Sequence, residues 1–366
     1  MSGRGNRGSS KTGGAKKGGS KTGVKMRSGF VSVVGRPNAG KSTLVNALTG
    51  ERVAIVTSKP QTTRNRIHGI VDVPAKKGKR PAAQIVFVDT PGVHKPGNVM
   101  DRRMLQEVHS ALESRDVVIW MVDASRRIAL PGMAVHEAAV PEETGGRRPR
   151  AHLEENEDAF VFELVKKLDC PVFLVINKID LVDREKLVPL VAELSNLHDF
   201  AEVFPISARK RRGTEELVEK LVEYLPEGQR YFPEGQFTDQ PERFLVAELI
   251  RERILMETGE EVPYASAVVI EQYEEPVSEK NPLTRIAAAI YCERPGQKAI
   301  LIGKGGSKLK EIGAGARKQI ESLLGTRVYL ELHVKVKDRW RESQPFVEGL
   351  DWRRQLEELG AKDREE

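Results

Sequence analysis

The sequence predicts two folded units, an α/β domain built on a mostly parallel sheet and a smaller α+β domain after it. Three observations predict this. From Phe30 to about Leu225, short apolar runs alternate with segments of helical periodicity, the pattern of a sheet covered on both faces. Residues 226–241, PEGQRYFPEGQFTDQP, hold three prolines and two glycines and read as a linker. Beyond them the order becomes helix, strand, strand, helix, helix, strand. The 366 residues also exceed what one core usually organises. The expected division is a basic tail (1–28), the α/β domain (29–228), a linker (229–241), the second domain (242–338) and a C-terminal extension (339–366).

Taken in order, the tail is Gly/Ser/Lys-rich, with eight Lys/Arg and no Asp/Glu. It holds too little apolar surface to offset ordering entropy and is predicted disordered. It reads as a solubilising extension or a loose electrostatic arm for RNA or ribosomes. FVSVVG is a strand and KSTLVNALTG a helix. IHGIVDV and AQIVFVD are strands joined by the polar loop PAKKGKRPA, and DRRMLQEVHSALESR is a helix. VVIWMVDA, PVFLVINK and EVFPISA are further strands; residues 159–168, 185–197 and 214–225 carry helical periodicity. The charged stretch 141–158, PEETGGRRPRAHLEENED, reads as a surface loop insertion. In the second domain RFLVAELIRERILMET is a helix, and ASAVVIEQYEE and RIAAAIYCE are strands. A short helix KAILIG, the turn GKGG, a helix SKLKEIGAGARKQIESLL and a strand RVYLELHVKVK follow. The last 29 residues are charged, with Trp340, Phe346 and Trp352 as apolar anchors.

Hydrophobic residues make up 39% and charged residues 31%, which fits a soluble globular protein. The apolar runs are too short to span a bilayer, and the N-terminus has no apolar core of a secretory signal. Cys170 and Cys292 are far apart, without metal-ligand spacing, in apolar runs. Buried thiols in a reducing cytoplasm are expected. The net charge is +6, from 59 basic and 53 acidic residues. Removing the tail leaves 51 against 53, a net of −2. A basic surface inside the fold must therefore be local.

Residues 35–42 (Gly35, Arg36, Pro37, Asn38, Ala39, Gly40, Lys41, Ser42) match G-x-x-x-x-G-K-[ST] between a strand and a helix. In that context backbone N–H groups and the helix N-terminus converge on phosphates. Lys41 is expected to reach the β- and γ-phosphates and Ser42 to give a hydroxyl to Mg²⁺. Asp89, Thr90, Pro91, Gly92 and Val93 end a later strand. Asp89 is placed to hold Mg²⁺ through water, and the Gly92 N–H to sense the γ-phosphate. Asn177, Lys178, Ile179 and Asp180 end another. Asp180 can accept from N1–H and the N2 amino group of guanine, a pair of donors adenine lacks, so GTP is expected over ATP. Asn177 would tie loops together, Lys178 lie along the ring, and Ser207 and Ala208 support the base at O6. Thr62 and Thr63, in SKPQTTRNR, are candidates to complete the Mg²⁺ shell, with Thr63 preferred. Ras-like enzymes orient water with a Gln where this chain has Val93, so slow intrinsic turnover is expected. Asn38 is a candidate ligand for a monovalent cation such as K⁺.

GKGG (Gly303, Lys304, Gly305, Gly306) fails the first template, because Gly305 follows the lysine and the loop lies between helices. It fits the G-x-x-G of a KH domain, which clamps nucleic-acid backbone. Lys304, Lys308 and Lys310 would face phosphates, and Ile300, Ile302, Leu309 and Ile312 fit a groove or the core. Residues 282–337 hold eleven Lys/Arg and four Asp/Glu, a local +7.

The runs GRPNAGKS, PQTTR, DTPGVHKP, NKID, ISA, ERPGQKAILIGKGGSKLKEIG and LELHVKVK resemble the Era family, bacterial GTPases with a G domain and a C-terminal type II KH domain. The resemblance covers about Phe30 to about Trp340. It implies a monomeric GTPase that cycles between GTP and GDP, binds the 3′ end of small-subunit (16S-type) rRNA and assists 30S maturation. It also implies a cytoplasmic location with peripheral inner-membrane association. The tail, the PAKKGKRPA loop and the 141–158 stretch depart from the family. The rival readings are a membrane-associated signalling GTPase whose KH-like domain binds protein or lipid, and a nucleotide binder without hydrolysis.

Overall fold

The computed structural model describes residues 25–93, 96–128, 130–136, 150–276 and 282–354, with 150–156 described by backbone alone. Most of the 1–28 tail and the first part of the 141–158 stretch lie outside the described residues.

The first domain has a six-stranded sheet in the order β2-β3-β1-β4-β5-β6. The strands are β1 (Arg27–Val34), β2 (Ile67–Val73), β3 (Ala83–Asp89), β4 (Val117–Asp123), β5 (Val172–Asn177) and β6 (Glu202–Pro205). All pairings are parallel except β2 with β3. β3, β4 and β5 are buried along their whole length. That explains their largely apolar sequence: in a parallel sheet both faces are covered. Helices α1 (Lys41–Thr49) and α5 (Thr214–Tyr224) lie over one face, around Val31, Phe87, Phe173 and Leu221. Helices α2 (Val99–Glu113), α3 (Arg150–Val165) and α4 (Arg184–Ser195) lie over the other, around Trp120, Phe162 and Leu174.

Two sequence expectations are corrected. Residues 150–158 are the first turns of α3, not loop; Asp158 is buried, which a solvated insertion would not allow. Arg27 and Ser28 belong to β1 rather than the tail. The Arg27 N–H donates to the Ala82 carbonyl (3.0 Å), and the Ser28 hydroxyl to Gln229 O (2.6 Å).

The linker is laced onto the sheet. Gln84 Oε1 accepts from the N–H groups of Tyr231 (2.8 Å) and Phe232 (3.0 Å), and Asp72 from Gly235 (2.9 Å). Ile70 N–H donates to Phe237 O (2.9 Å), Thr238 Oγ1 to His68 O (2.8 Å), and His68 Nδ1 lies 2.7 Å from Asp239 Oδ2. These contacts cover the outer edge of β2, which would otherwise present unpaired backbone.

The second domain runs α6 (Glu242–Glu257), β7 (Ala267–Glu274), β8 (Leu283–Cys292), α7 (Pro295–Ile302), α8 (Ser307–Leu324) and β9 (Arg327–Val336). β8 is central, antiparallel to β7 and parallel to β9. Ile312, Ala316 and Ile320, four residues apart on α8, bury one face against the sheet. After β9 the chain reaches Trp340 and α9 (Gln344–Gly349). Trp340 is fully buried with Met100 and Met104 of α2, and its indole N–H donates to Ala265 O (2.8 Å). Arg103 of α2 donates to Val347 O (2.9 Å), and Arg353 to Arg66 O (2.8 Å). The C-terminal segment therefore joins the two domains. Cys292 is buried, Cys170 only half-buried, and both are free thiols. Among the described residues no helix is long and apolar enough to cross a membrane.

Candidate active site

The carboxyl ends of β1, β3, β4 and β5 meet where the strand order turns back on either side of β1, the usual ligand crevice of such sheets. The loop 35–40 follows β1. Lys41 is buried there, its Nζ donating to the carbonyls of Gly35 and Arg36 (both 2.9 Å). Burial pulls its ammonium down to about 8, against the pull of Asp89. Arg36 makes a buried ion pair with Asp158 of α3 (3.0 Å). Asn38 is exposed, and its Nδ2 donates to Ser58 O (2.7 Å).

Asp89, fully buried, gathers two hydroxyls. Ser42 Oγ donates to its Oδ2 (2.6 Å) and Thr63 Oγ1 lies 3.3 Å away, with Ser42 and Thr63 2.8 Å apart. Among the described residues Asp89 Oδ1 has no well-formed hydrogen bond, and burial raises the carboxyl pKa to about 6. A buried carboxylate oxygen without a well-formed hydrogen bond beside two converging hydroxyls fits a hard divalent cation such as Mg²⁺. Thr62 points elsewhere, to Thr57 Oγ1 (2.7 Å) and Lys59 O (2.6 Å). The next turn is held by Thr90 Oγ1 donating to Val33 O (2.7 Å) and Val93 N–H to Gly35 O (3.3 Å), with Pro91 and Val93 buried. Gly92 passes so close to the first loop that an added Cβ would sit 2.7 Å from Pro37 Cα.

On the opposite side, Asn177 Nδ2 donates to Ala39 O (2.8 Å) and its Oδ1 accepts from Ala208 N–H (3.0 Å). One side chain thus ties three loops. Ile179 N–H donates to Ile206 O (3.2 Å), Ser207 is buried, and Asp180 is exposed at the mouth. Lys178 pairs with Asp123, which ends β4 (2.6 Å). Asp123 and Asp158 are site residues the sequence reading missed. Asp123 could have been found as a carboxylate closing the strand beside NKID. Asp158 carries no such signal.

In the second domain Gly303, Gly305 and Gly306 all have positive φ (72°, 59°, 81°). Lys304 and Lys310 are exposed. Lys308, expected to face phosphates, instead pairs with Glu311 (2.6 Å), one helical turn on, and lies 3.8 Å from Glu257. Ile312 is in the core, Leu309 and Ile302 pack at its margin, and Ile300 is exposed.

The loop carrying Thr63 is bonded to this second domain. Lys59 Nζ donates to the carbonyls of Leu255 and Thr258 at the end of α6, and Arg251 of α6 to Thr62 O. Arg52 pairs with the fully buried Glu252, which also accepts from Val56 N–H (3.2 Å). Arg64 donates to Ser266 O (2.7 Å) and Tyr264 O (3.0 Å) and lies over the Trp340 ring.

Comparison with known proteins agrees with this architecture. A family model described as a 50S ribosome-binding GTPase matches residues 30–178, and a KH-domain model matches 261–341. GTPase Era of Heliobacterium modesticaldum is 42% identical over 333 residues, 91% of this chain and 99% of that protein. The chain belongs to the Era family of GTPases. Two Era crystal structures are similar over 89% of this chain and 99% of theirs, each with a TM-score of 0.76. One is an Aquifex aeolicus Era variant bound to GDP·AlF4⁻, 39% identical. The other is an Era in complex with MgGDPNP and nucleotides 1506–1542 of 16S ribosomal RNA, 38% identical. The chain is accordingly a GTPase, with an Era-type G domain followed by a KH domain.

Proposed function

We propose that this GTPase binds the 3′ end of small-subunit rRNA through its KH domain, assists 30S assembly, and couples the two domains through the loop that carries Thr63. The observation that carries the coupling is that residues 52–64 touch both the Asp89–Ser42 cluster and α6. A change of nucleotide that moves Thr63 therefore pulls on Lys59 and on Thr62, and through them on the KH domain.

In this reading Gly35–Ser42 wraps the phosphates, Lys41 neutralises them, and Gly92 reports the γ-phosphate. Asp180 and Lys178, with Asp123 behind it, read the guanine beside Ser207 and Ala208. Ser42, Asp89 and Thr63 would hold Mg²⁺, which supplies charge neutralisation to the phosphate oxygens. Val93 offers no group to orient water, so unassisted turnover is slow. Phosphate release measured with and without 30S particles tests that. K⁺ at Asn38 is a separate expectation, removed if rates are equal in K⁺ and Na⁺.

Crosslinking to small-subunit rRNA, compared between a non-hydrolysable GTP analogue and GDP, is the deciding experiment. Nucleotide-dependent crosslinks at GKGG are expected, and their absence in Gly305→Asp. That substitution meets open space at a left-handed φ, which strains Asp less than most residues, so its main effect is on charge. Crosslinks that ignore both nucleotide and Gly305→Asp sink the reading and favour a KH-like domain with a protein or lipid partner.

A further inference from the structure

Four arginines meet where the two domains touch. A cavity of about 50 Å³ at that junction is lined by Arg64 and Arg103 of the G domain and by Arg243 and Arg251 of α6. Glu248 is the one carboxylate among the described residues that line it. Met100, Phe244 and Leu350 close it with apolar surface. Arg64, Arg103 and Arg251 are buried, Arg251 with 3% exposure, and Arg243 is half-buried. None of the nucleotide-site or GKGG residues lines this cavity.

The four guanidinium groups are engaged unequally. Arg64 donates from both terminal nitrogens to carbonyls, of Ser266 (2.7 Å) and Tyr264 (3.0 Å). Arg103 donates to Val347 O (2.9 Å) and Asn65 Oδ1 (2.7 Å) and pairs with Asp351 (3.2 Å). Arg243 donates to Ile270 O (3.2 Å). Arg251 donates from Nε (2.8 Å) and Nη2 (2.6 Å) to Glu248, and Nη2 also meets Thr62 O. Among the described residues Arg251 Nη1 has no well-formed hydrogen bond. Four positive charges thus face two carboxylates, Glu248 and Asp351. Around Arg64, Arg341 and Asp101 add one further charge of each sign. Burial first, and the Arg251 charge second, pull the Arg64 guanidinium below its ordinary range. A buried guanidinium N–H without an acceptor, set among like charges, destabilises the junction.

What the cavity lacks is negative charge. A water molecule could accept from Arg251 Nη1 but would leave the charge excess in place. Phosphate and other oxyanions are matched by guanidinium groups through parallel pairs of N–H donors. Here the terminal nitrogens of Arg64 and Arg103 are committed to carbonyls and Asn65, and the paired edge of Arg251 to Glu248. A single N–H and a net positive potential remain, in a small space. That suits a spherical ion of one charge. We propose that this cavity is an anion site that takes chloride, bound by Arg251 Nη1 and balancing Arg64, Arg103 and Arg243. Arg64 follows Thr63 directly and Arg251 lies on α6, so the ion would hold the two domains together at that point. The proposal is independent of which partner the KH domain takes.

The test uses the full chain with GDP and Mg²⁺ bound, so that the phosphate site is filled. Protein in potassium gluconate is titrated with potassium chloride at constant total salt, and thermal unfolding is followed. The Tm should rise and level off, by about 3–5 °C at roughly ten times the half-saturating concentration. In Arg243→Gln the rise should vanish or move to about tenfold higher chloride. Retained GDP and cooperative unfolding in gluconate alone show that this variant is folded. Wild-type crystals soaked in bromide should give an anomalous peak in the cavity, within hydrogen-bonding reach of Arg251 Nη1, and this arm needs no variant. Four results overturn the proposal: a water there with no bromide peak, the same chloride response in Arg243→Gln, a response that never levels off, as general screening gives, or saturation by sulfate alone.

Discussion

Asp89 is a carboxyl group whose burial works against its own charge. Its pKa of about 6 stands above the ordinary 3.8, so between about pH 4 and pH 6 the folded chain binds more protons than the unfolded one. Stability from this group is therefore present at the acid end and lost as pH rises through 6. In protein free of nucleotide and metal, Asp89→Asn should raise stability at neutral pH by about 2–3 kcal/mol and flatten that window while weakening Mg²⁺-dependent GTP binding. Denaturant titrations across pH, paired with nucleotide affinity, check both halves. The Arg36–Asp158 pair behaves oppositely. Asp158→Ala strands a buried guanidinium in the phosphate loop and should cost about 3–5 kcal/mol, with weaker nucleotide binding. A variant of wild-type stability would show that Arg36 finds another partner. GRPNAGKS, DTPG, NKID and ISA were legible as a group because each is a contiguous run at a strand end. Asp158 was not, because its role exists only once α3 folds back over the first loop. Lys308 is intermediate: its pairing with Glu311 follows from helical spacing, a signal that the local charge count obscured.

At the scale of elements, the GKGG turn separates two kinds of glycine requirement. Gly303 has both a positive φ and a Cβ position 2.7 Å from Lys308 Cβ. Gly303→Ala should therefore cost about 1–3 kcal/mol, visible as a lower Tm, whereas Gly305→Asp should abolish RNA binding with little change in Tm. The α6 contacts give a third element-level expectation. Arg251→Ala removes the bond to Thr62 O and leaves Glu248 without its partner. RNA affinities measured with GTP analogue and GDP should then converge; an undiminished difference would place the coupling elsewhere. The strand–helix alternation was readable from periodicity because buried parallel strands show as continuous apolar runs. The start of α3 was not, since RPRAHLEENED offers no apolar stripe before Ala159.

Across the whole molecule, the C-terminal segment acts as a shared wall between the domains. Trp340 is fully buried against α2 and bonded to Ala265, so Trp340→Ala should cost about 3–5 kcal/mol. Calorimetry should resolve two transitions in this variant that lie closer together in the wild type. The anchoring role of Trp340 and Trp352 could be read from isolated aromatics in a charged stretch. What they dock against could not, because it lies far away in the chain: Met100, Met104 and Ala265 for Trp340, and Phe244 for Trp352.

The lacing of residues 229–239 onto β2 has a mechanical consequence. With Asp239 held by His68 and α6 starting at Glu242, only Gln240 and Pro241 separate the laced linker from the helix, a reach of about 10 Å, and Gln240 N–H is itself bonded to Thr238 Oγ1. Released from its other contacts, the KH domain could not drift away from the G domain on a tether. It could only swing about a nearly fixed pivot, so the phosphate count of the bound nucleotide would be expressed as an angle, not as a separation.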